Sequence, residues 1–392
     1  MTPDVAAIEQ QVRPLLGAGR FEDAEAVLRP YLASGSGPLP LWKLLAAAIR
    51  PQGKFTETRA IQEMLVAHAP GDLPTRFDLS ETLLLQGEFE RGWREYRYRY
   101  NLAHTTAIDR KVQRPAWDGR PVPGQTLLIH DEQGYGDTFQ FIRLVAWAKQ
   151  RSQARVILEI NPESSNLARR FAGYDELVLK GALPPPFDLH CQMMTLPLAL
   201  RLKLTDLPGT IPYLSPDPAR VHKWTQRLAG IQGPRIALVW AGRPAHPNDA
   251  NRSMTLAQLA PLAASGATFL SIQKGPASAQ AATPPAGLSV VPLSDEIQDF
   301  EDTAAILSIA DLLVSVDSSP VHLAGALGRP AWVMLPFVPD WRWLLDRADT
   351  PWYPSVRLFR QGTRGDWAGV VNDIARELAR LPSASGPART GG

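Results

Sequence analysis

The 392-residue sequence predicts an α + α/β protein, in which an N-terminal block of helical repeats precedes two parallel-sheet domains. Three observations support this fold class. A short glycine-containing motif recurs at a fixed interval early in the chain. A turn-rich segment then interrupts the helical periodicity. Beyond it, short apolar runs alternate twice in succession with helical segments, as in sheets wound by helices. The length also exceeds what a single ordinary core accommodates.

The repeat consists of a glycine, a charged residue and a phenylalanine. It occurs as Gly19-Arg20-Phe21, Gly53-Lys54-Phe55 and Gly87-Glu88-Phe89, with an interval of 34 residues each time. This interval is the period of the tetratricopeptide (TPR) helix–turn–helix unit. We expect the glycine to allow close approach of the paired helices and the phenylalanine to fill the space between them. The sequence therefore predicts TPR repeats over residues 1–104.

The repeats are degenerate at the small-residue position five places after each glycine. Ala24 fits the TPR pattern, whereas Thr58 and Gly92 hold the same place in the later units. The segment 93–100 is predicted to be the last repeat helix, since its aromatic residues recur at steps of three and four. Such a block offers a surface for an extended peptide or a partner helix. It could instead only support the rest of the chain or form a dimer.

Residues 105–123 are predicted to be a linker, because they include the turn-rich sequence RPAWDGRPVP. The first α/β domain is predicted at 124–218, with strands at 126–131, 155–160 and 176–180 and a helix over 139–150. The second is predicted at 219–381, with strands at 235–242, 267–273, 311–316 and 331–336 and helices near 255–264, 303–310 and 366–381. Both have the alternation of a Rossmann-like domain. The small-residue tail at 382–392 is expected to be disordered.

Composition excludes several classes of protein. The net charge is only +2 and no basic block stands out, so a nucleic-acid partner has little support. The single cysteine, Cys191, excludes an internal disulfide framework and a multi-cysteine metal site. The N-terminal residues lack the apolar core of a secretory signal, and no run is long enough to be a transmembrane segment. We therefore expect a soluble, cytoplasmic protein.

The first candidate site follows the first strand of the first domain, where ligands bind in open parallel sheets. It contains Gln133, Gly134, Gly136 and Asp137. The glycines let the backbone approach a ligand, and Asp137 stands where a helix N-cap is expected. Asp137 could act only as that cap. A nicotinamide-dinucleotide fingerprint is disfavoured, because bulky Phe139 occupies the place of its third glycine.

The second candidate site is the segment Asp317–His322. A strand ends there, Ser318 and Ser319 offer an N-cap, and Pro320 suits the first helical turn. Free amides at such a helix start, together with the helix dipole, form an anion site suited to a diphosphate. His322 could add a proton or a hydrogen bond at the phosphate, or it could be an ordinary half-buried histidine.

These segments resemble a known family. The segment Asp317–Pro330, which ends in SPVHLAGALGRP, is similar to the donor-binding motif of heptosyltransferase-like glycosyltransferases of family 9. Those enzymes have the two-domain GT-B fold, and Ser319 stands where glycine is common in their motif. GYGDT resembles the family's N-terminal loop, and WAGRPAHPNDANRSM resembles the loop that supplies a basic group. With the preceding repeats, nearly the whole chain resembles bacterial TPR-glycosyltransferases, some of which are associated with protein glycosylation.

The resemblance implies a metal-independent glycosyltransferase that moves a hexosyl or heptosyl group from a nucleotide-diphosphate sugar to a hydroxyl of a protein or glycan. It implies that Asp137 is the catalytic base in an acceptor-side domain. The implied donor and phosphate ligands in the other domain are Arg252, Lys274, Asp317, Ser318, Ser319 and His322. Arg252 matches the basic group, with Arg243 and Lys274 as alternatives. No D-x-D sequence occurs, so neither a metal nor another cofactor is expected.

Three alternatives remain open at this point. Trp341, after the strand at 331–336, could stack on the base or sugar of the donor or could simply pack. The chain could be a TPR adaptor with an inactive GT-B half. It could also be a GT-B sugar-nucleotide epimerase. The sequence does not identify the sugar, the base of the nucleotide or the acceptor.

Overall fold

A computed structural model describes residues 4–101, 112–246 and 248–381. The chain forms two compact units. The first, called here the helical unit, comprises Met1–Lys111, Arg201–Leu204 and Phe337–Asp346. The second, the sheet unit, comprises Val112–Leu200, Thr205–Pro336 and the residues from Arg347 onward. Part of the predicted linker, 105–111, and the predicted tail, 382–392, lie outside the described residues.

The helical unit is built from helices that each pack on the next in the chain. They are α1 (Val5–Gly17), α2 (Phe21–Leu32), α3 (Leu39–Ile49), α4 (Phe55–His68), α5 (Leu73–Leu85) and α6 (Phe89–Tyr96). Their core is aliphatic, and Leu28, Leu41 and Leu45 are fully buried in it. The repeated small position is also buried, since Ala24 and Thr58 have no exposed surface.

The repeated glycines have a different role from the one expected. Gly19, Gly53 and Gly87 have φ values of +72°, +79° and +81°, in the left-handed region that favours glycine, and each lies in the turn between two helices. At Gly19 a Cβ atom would meet only the Phe21 ring, at 3.9 Å, so close helix approach does not explain it. The close approach occurs at Gly92, where a Cβ atom would lie 2.6 Å from Leu84.

The sheet unit contains two parallel sheets. Its strands are β1 (Thr126–His130), β2 (Arg155–Ile160), β3 (Glu176–Leu179), β4 (Leu189–Gln192), β5 (Arg235–Val239), β6 (Thr268–Ser271), β7 (Ser289–Pro292), β8 (Leu312–Val316), β9 (Ala331–Leu335) and β10 (Val356–Arg360). The first sheet has the order β3-β2-β1-β4 and the second has the order β10-β9-β8-β5-β6-β7. Every predicted strand is present, and β4, β7 and β10 were not predicted.

The helices of the sheet unit connect these strands. They are α7 (Tyr135–Phe141), α8 (Arg143–Ser152), α9 (Pro162–Ala168), α10 (Leu196–Leu200), α11 (Pro218–Arg227), α12 (Asp249–Arg252), α13 (Phe300–Ile309), α14 (Ser319–Ala326) and α15 (Trp367–Leu378). The helix predicted near 255–264 is a 3₁₀ helix, Leu256–Ser265, which contains Pro261 and therefore one missing N–H donor. The helix predicted over 139–150 starts earlier, at Tyr135, and is divided at Ile142.

The described part of the predicted linker belongs to the sheet unit. The Trp117 amide donates to the His190 carbonyl at 2.8 Å, and the His190 amide donates to the Pro115 carbonyl at 3.1 Å. The Trp117 side chain is buried. This segment therefore extends the first sheet beside β4. Within the described ranges, no helix combines the length and the hydropathy needed to cross a bilayer.

Candidate functional site

The order of strands identifies where ligands bind in each sheet. In the first sheet, β2 and β4 lie on opposite sides of β1, and in the second, β6 and β8 lie on opposite sides of β5. The chain thus reverses its direction of winding between β1 and β4 and between β5 and β8. Ligands of open parallel sheets bind outside the carboxyl ends of the strands at such points. Both candidate loops, after β1 and after β8, lie at these positions.

The two loops contact each other. A Cβ atom on Gly136, in the first turn of α7, would lie 2.9 Å from Cδ2 of His322 and 3.5 Å from Cα of Ser319. An added methyl group at the first distance requires one partner to move, so glycine permits this approach. The structure therefore brings Gly136 and its neighbour Asp137 to the start of α14, as a site formed by both sheets requires.

Asp137 is the third residue of α7, and the N-cap is Gly134. The sequence-based assignment of Asp137 as N-cap is therefore wrong, because the helix begins within the glycine-containing segment. The carboxylate still serves the helix start, since its Oδ2 accepts a hydrogen bond from the Gly134 amide at 3.0 Å. Gln133 and Asp137 are half-buried and Gly134 is exposed, so this loop is open to solvent.

Two buried carboxylates that the sequence analysis did not assign anchor this loop. Asp131 accepts a hydrogen bond from the Asn161 amide at 3.2 Å, and Oε1 of Glu132 accepts from the Met194 amide at 2.8 Å. Burial raises the pKa of Asp131. Both side chains are turned to the protein interior and bind backbone amides, so they hold the loop between β1 and α7 in place.

The start of α14 is organised differently. Ser318 is the N-cap, Ser319 is the first helical residue and Pro320 the second, as predicted. Ser318 makes no side-chain capping bond, and its hydroxyl lies 3.1 Å from that of Ser315. Across the described segments, no side chain accepts a hydrogen bond from the Ser318 or Ser319 amide. Since both residues are only half-buried, these amides can bind an external anion.

His322 lies one turn into α14 and is 5% exposed. Its Nδ1 is 3.1 Å from the hydroxyl of Tyr353, and its Nε2 is 4.0 Å from Oδ1 of Asp317. The two ring nitrogens therefore face different surroundings, one in the protein interior and one at the start of the helix. Asp317 itself is half-buried.

Arg252 is the basic residue that contacts the segment after β8. Its Nη1 donates to the Asp317 carbonyl at 3.1 Å, and its Nε donates to Asp249 at 3.3 Å. Gly242, after β5, allows this placement, because a Cβ atom there would lie 2.6 Å from Nη2 of Arg252. Lys274 instead donates to the carbonyls of Ser294 and Ile297, at 2.7 and 3.0 Å.

Trp341 is part of the helical unit. Its ring is 2% exposed and packs edge-to-face against Trp93 and Tyr96, with centroid distances of 5.1 and 5.9 Å. This is the packing alternative of the sequence analysis, with an unexpected partner, since the contacts are made with α6. The other alternative candidate for the basic group, Arg243, has an exposed side chain.

A buried arginine behind His322 was missed by the sequence analysis. Arg143 is 4% exposed and donates to the carbonyls of Pro208 and Trp352, at 2.8 and 3.1 Å, and to the hydroxyl of Tyr213 at 2.7 Å. One signal was available, since Arg143 interrupts the apolar segment FQFIRLVAWA. Over the described ranges, no group of three or more His, Cys, Asp or Glu side chains is arranged to hold a metal ion.

Comparison with known proteins gives partial matches. No family model matches the chain. It is 27% identical over 334 residues to protein FlbA of Caulobacter vibrioides, a match that includes 79% of this chain and 56% of FlbA. The chain thus spans little more than half the length of this relative.

Two solved structures resemble the chain at low sequence identity. One is the family 9 glycosyltransferase of Veillonella parvula, with 10% identity, a TM-score of 0.49 and coverage of 67% of this chain and 98% of that protein. The other is the ADP-heptose lipopolysaccharide heptosyltransferase II of E. coli, with 13% identity, a TM-score of 0.46 and coverage of 64% and 98%. In both, almost the whole solved protein is matched by about two thirds of this chain.

Proposed function

We propose that this chain is a glycosyltransferase of the GT-B type, which transfers a sugar from a nucleotide-diphosphate sugar to a hydroxyl group of a protein or glycan. The observation that carries the proposal is the contact of Gly136 with His322 and Ser319. This contact joins an acidic loop at the switch point of one sheet to an open helix start at the switch point of the other. Transfer chemistry needs these two functions close together.

The donor diphosphate would bind at the start of α14. The amides of Ser318 and Ser319 and the positive end of the helix dipole supply fixed donors, and Arg252 adds a cation beside Asp317. As the bond between sugar and diphosphate breaks, negative charge accumulates on the leaving diphosphate. Donors that are already in position stabilise this charge in the transition state. Lys274 would contribute only if it left the carbonyls that it binds.

Asp137 would act as the general base. Its Oδ2 accepts from the Gly134 amide, and a carboxylate can accept several hydrogen bonds, so it can also accept one from the acceptor hydroxyl. As the acceptor oxygen bonds to the sugar carbon, Asp137 takes the hydroxyl proton and the nucleoside diphosphate leaves with the electron pair of the broken bond. Amides and Arg252 would supply the positive charge at the diphosphate, so we propose that no metal cofactor is needed.

The helical unit would select the acceptor. Stacked helical hairpins present extended surfaces that bind peptides. In this proposal the helical unit binds the acceptor and the sheet unit binds the donor. We further propose a cytoplasmic location, where nucleotide sugars are available as donors. The panel of donors to examine includes both ADP-linked and UDP-linked sugars. The start of α14 would bind the diphosphate, which all of these donors share.

A binding screen followed by a transfer assay tests the proposal. The 392-residue chain is heated with a panel of nucleotide sugars to find a donor that stabilises it. The chain and this donor are then incubated with co-expressed proteins and cell extracts, and the products are analysed by mass spectrometry. We expect stabilisation by one donor class and a mass increase of one sugar on an acceptor. Donor consumption without an acceptor product would instead indicate an epimerase. Absence of donor binding would indicate an adaptor with an inactive GT-B half.

A further inference from the structure

The loop after β5 surrounds Arg252 with a connected set of hydrogen bonds. The Gly242 amide donates to Oγ of Ser253 at 2.8 Å, and the Ser253 hydroxyl donates to Oδ1 of Asp249 at 3.0 Å. The same Oδ1 atom accepts from Nε of Arg252 at 3.3 Å. One carboxylate oxygen thus connects the guanidinium, through a single serine, to the backbone that follows β5.

Gly242 makes room for both charged groups. A Cβ atom there would lie 2.5 Å from Oδ1 of Asp249 and 2.6 Å from Nη2 of Arg252. No side chain fits at these distances, so the carboxylate and the guanidinium pack directly against the backbone. Only 16% of the Asp249 side chain and 15% of the Arg252 side chain are exposed. A pair covered in this way is screened less by solvent than a pair on an open surface.

The backbone that supports this set is itself fixed. The amides of Trp240 and Ala241 both donate to Oε1 of Gln273, at 3.0 Å each, and Nε2 of Gln273 donates to the Ala241 carbonyl, also at 3.0 Å. Gln273 is 2% exposed and follows β6, the strand that pairs with β5. The three consecutive amides from Trp240 to Gly242 therefore all have partners, and the loop has a defined place on the sheet.

We propose that Asp249 is a positioning residue, which holds the Arg252 guanidinium at the start of α14. On its other side, Nη1 of Arg252 donates to the carbonyl of Asp317, the residue before the N-cap Ser318. The guanidinium is thus fixed at both Nε and Nη1, whereas Nη2 makes no hydrogen bond within the described part of the chain. A planar group fixed at two points has one orientation, so Nη2 keeps its donors for an anion.

This inference rests on the proposed function for its ligand, a diphosphate at the start of α14. Asp249 has two opposing effects on such a ligand. Its negative charge repels the diphosphate, whereas its bond to Nε fixes the cation that attracts it. Positioning outweighs repulsion, because a donor that is already in place loses little freedom when the ligand binds.

Two substitutions of Asp249 separate these effects. Asparagine removes the charge and keeps an oxygen for Nε of Arg252, whereas alanine removes both. Calorimetric titration with ADP and UDP should show a dissociation constant about 5- to 10-fold higher in Asp249→Ala and about 2- to 3-fold lower in Asp249→Asn. Asp373→Ala is the matched control. Asp373 pairs with Arg376, three residues further along α15, so this variant loses the same charge and the same kind of pair. It should bind both nucleotides normally.

A double-substitution cycle tests whether Asp249 acts through Arg252. Asp249→Ala should have no further effect on nucleotide affinity in the Arg252→Gln background, whereas a general disturbance of the loop would weaken binding there as well and contradict the proposal. Unchanged affinity in both Asp249 variants, or equal tightening by both, would also contradict it. If Asp249→Ala does not fold, Ser253→Ala removes the connection to the Gly242 amide and should weaken binding in the same Arg252-dependent way.

The hold on Arg252 can also be measured without a ligand. In NMR spectra of the ¹⁵N-arginine-labelled chain, the Nε–H signal of Arg252 is identified by its absence in Arg252→Gln. It should exchange slowly with water, about 10-fold faster in Asp249→Ala, and slowly again in Asp249→Asn. Equal exchange in the unaltered protein and Asp249→Ala would refute the proposal. If neither ADP nor UDP binds, the proposed function loses support, whereas the exchange rates still decide whether Asp249 holds Arg252.

Discussion

The starts of α7 and α14 are similar in position and opposite in chemistry. Each follows a buried strand at a switch point of its sheet, and each has a small N-cap residue with extended backbone. Gly134 has φ −79° and ψ 165°, and Ser318 has φ −157° and ψ 168°. At α7 the chain supplies its own anion, since Asp137 accepts from the Gly134 amide. At α14 the amides of Ser318 and Ser319 have no such side-chain acceptor in the described ranges.

In the proposed mechanism, this difference gives the two strand–helix junctions separate roles in one reaction. A helix start that already binds a carboxylate offers little to a second anion, but it holds that carboxylate in a defined place. A helix start without one keeps its amides and its dipole for a ligand. In the proposed reaction the first junction therefore supplies the base and the second binds the diphosphate. The contact at Gly136 places the two next to each other.

The largest expected effect is that of Asp137→Asn. Asparagine keeps an oxygen for the Gly134 amide but does not accept the acceptor's proton. Turnover should fall by roughly 10²–10⁴-fold while donor affinity and fold remain unchanged. Steady-state kinetics, donor titration and thermal unfolding measure the three quantities.

Asp217→Asn is the matched control for this change. Asp217 caps α11 by accepting from the Ala219 amide at 2.9 Å. The variant should lose about 1 kcal/mol of stability or less and keep its turnover. If folded Asp137→Asn also retained turnover, Asp137 would be only a structural residue, and the contrast between the two helix starts would have no catalytic meaning.

The second-largest effect is expected at the start of α14, where Arg252 lies beside Asp317. Arg252→Gln removes the cation beside Asp317, and we expect the donor dissociation constant to rise by about 10- to 100-fold, the usual worth of a hydrogen bond to a charged group. Lys274→Gln is the comparison, and it should change affinity little because Lys274 is bound to two carbonyls. Isothermal titration measures both. The reverse order of effects would assign the basic group to Lys274.

A smaller effect is expected where the two junctions touch. Gly136→Ala places a methyl group 2.9 Å from the His322 ring, so the two loops must separate slightly. We expect the donor dissociation constant to rise by about 5-fold, comparable to the loss of one ordinary hydrogen bond.

Gly134→Ala provides the control in the same loop, because its Cβ atom would lie 3.4 Å from Asp137 and φ there is negative. It should bind donor normally. Equal donor affinity in the two variants would show that the contact between α7 and α14 is unimportant for binding. Titration of both variants under identical conditions makes this comparison.

The sequence predicted most of the sheet unit because its central strands are continuous apolar runs, such as LLVSV in β8. The missed strands lack that signal. β4 has the sequence LHCQ, and β7 is half-exposed and ends in proline. The start of α7 was also missed, since Gly134 and Gly136 have low helix propensity. Gly136 fits in the helix because α14 packs closely against it.

The structure brings the two predicted loops into contact, but the sequence analysis did not identify the residues that pack behind them. Tyr213 lies 70 residues from Arg143, and Tyr353 lies 31 residues from His322. Contacts between side chains so far apart depend on how strands are ordered, which local patterns do not contain. Tyrosine is also common in ordinary cores, so nothing marked Tyr213 as the partner of an arginine or Tyr353 as the partner of a histidine. Local motifs identified the residues of the two candidate loops, and the fold identified the side chains that pack behind them.

The smallest effect on donor binding is expected from Trp341→Phe. This substitution also tests whether Trp341 stabilises the helical unit or binds the donor. Its ring packs against Trp93 and Tyr96 within the helical unit. Phenylalanine keeps part of this edge-to-face packing, so we expect a loss of about 1–2 kcal/mol of stability. Donor affinity should be unchanged, because a ring that is only 2% exposed has no free face for a base.

Trp332→Phe, on β9 of the sheet unit, is the control for the substitution itself. Thermal unfolding and donor titration distinguish the possibilities: a rise in the donor dissociation constant of Trp341→Phe at unchanged stability would mean that Trp341 stacks on the donor.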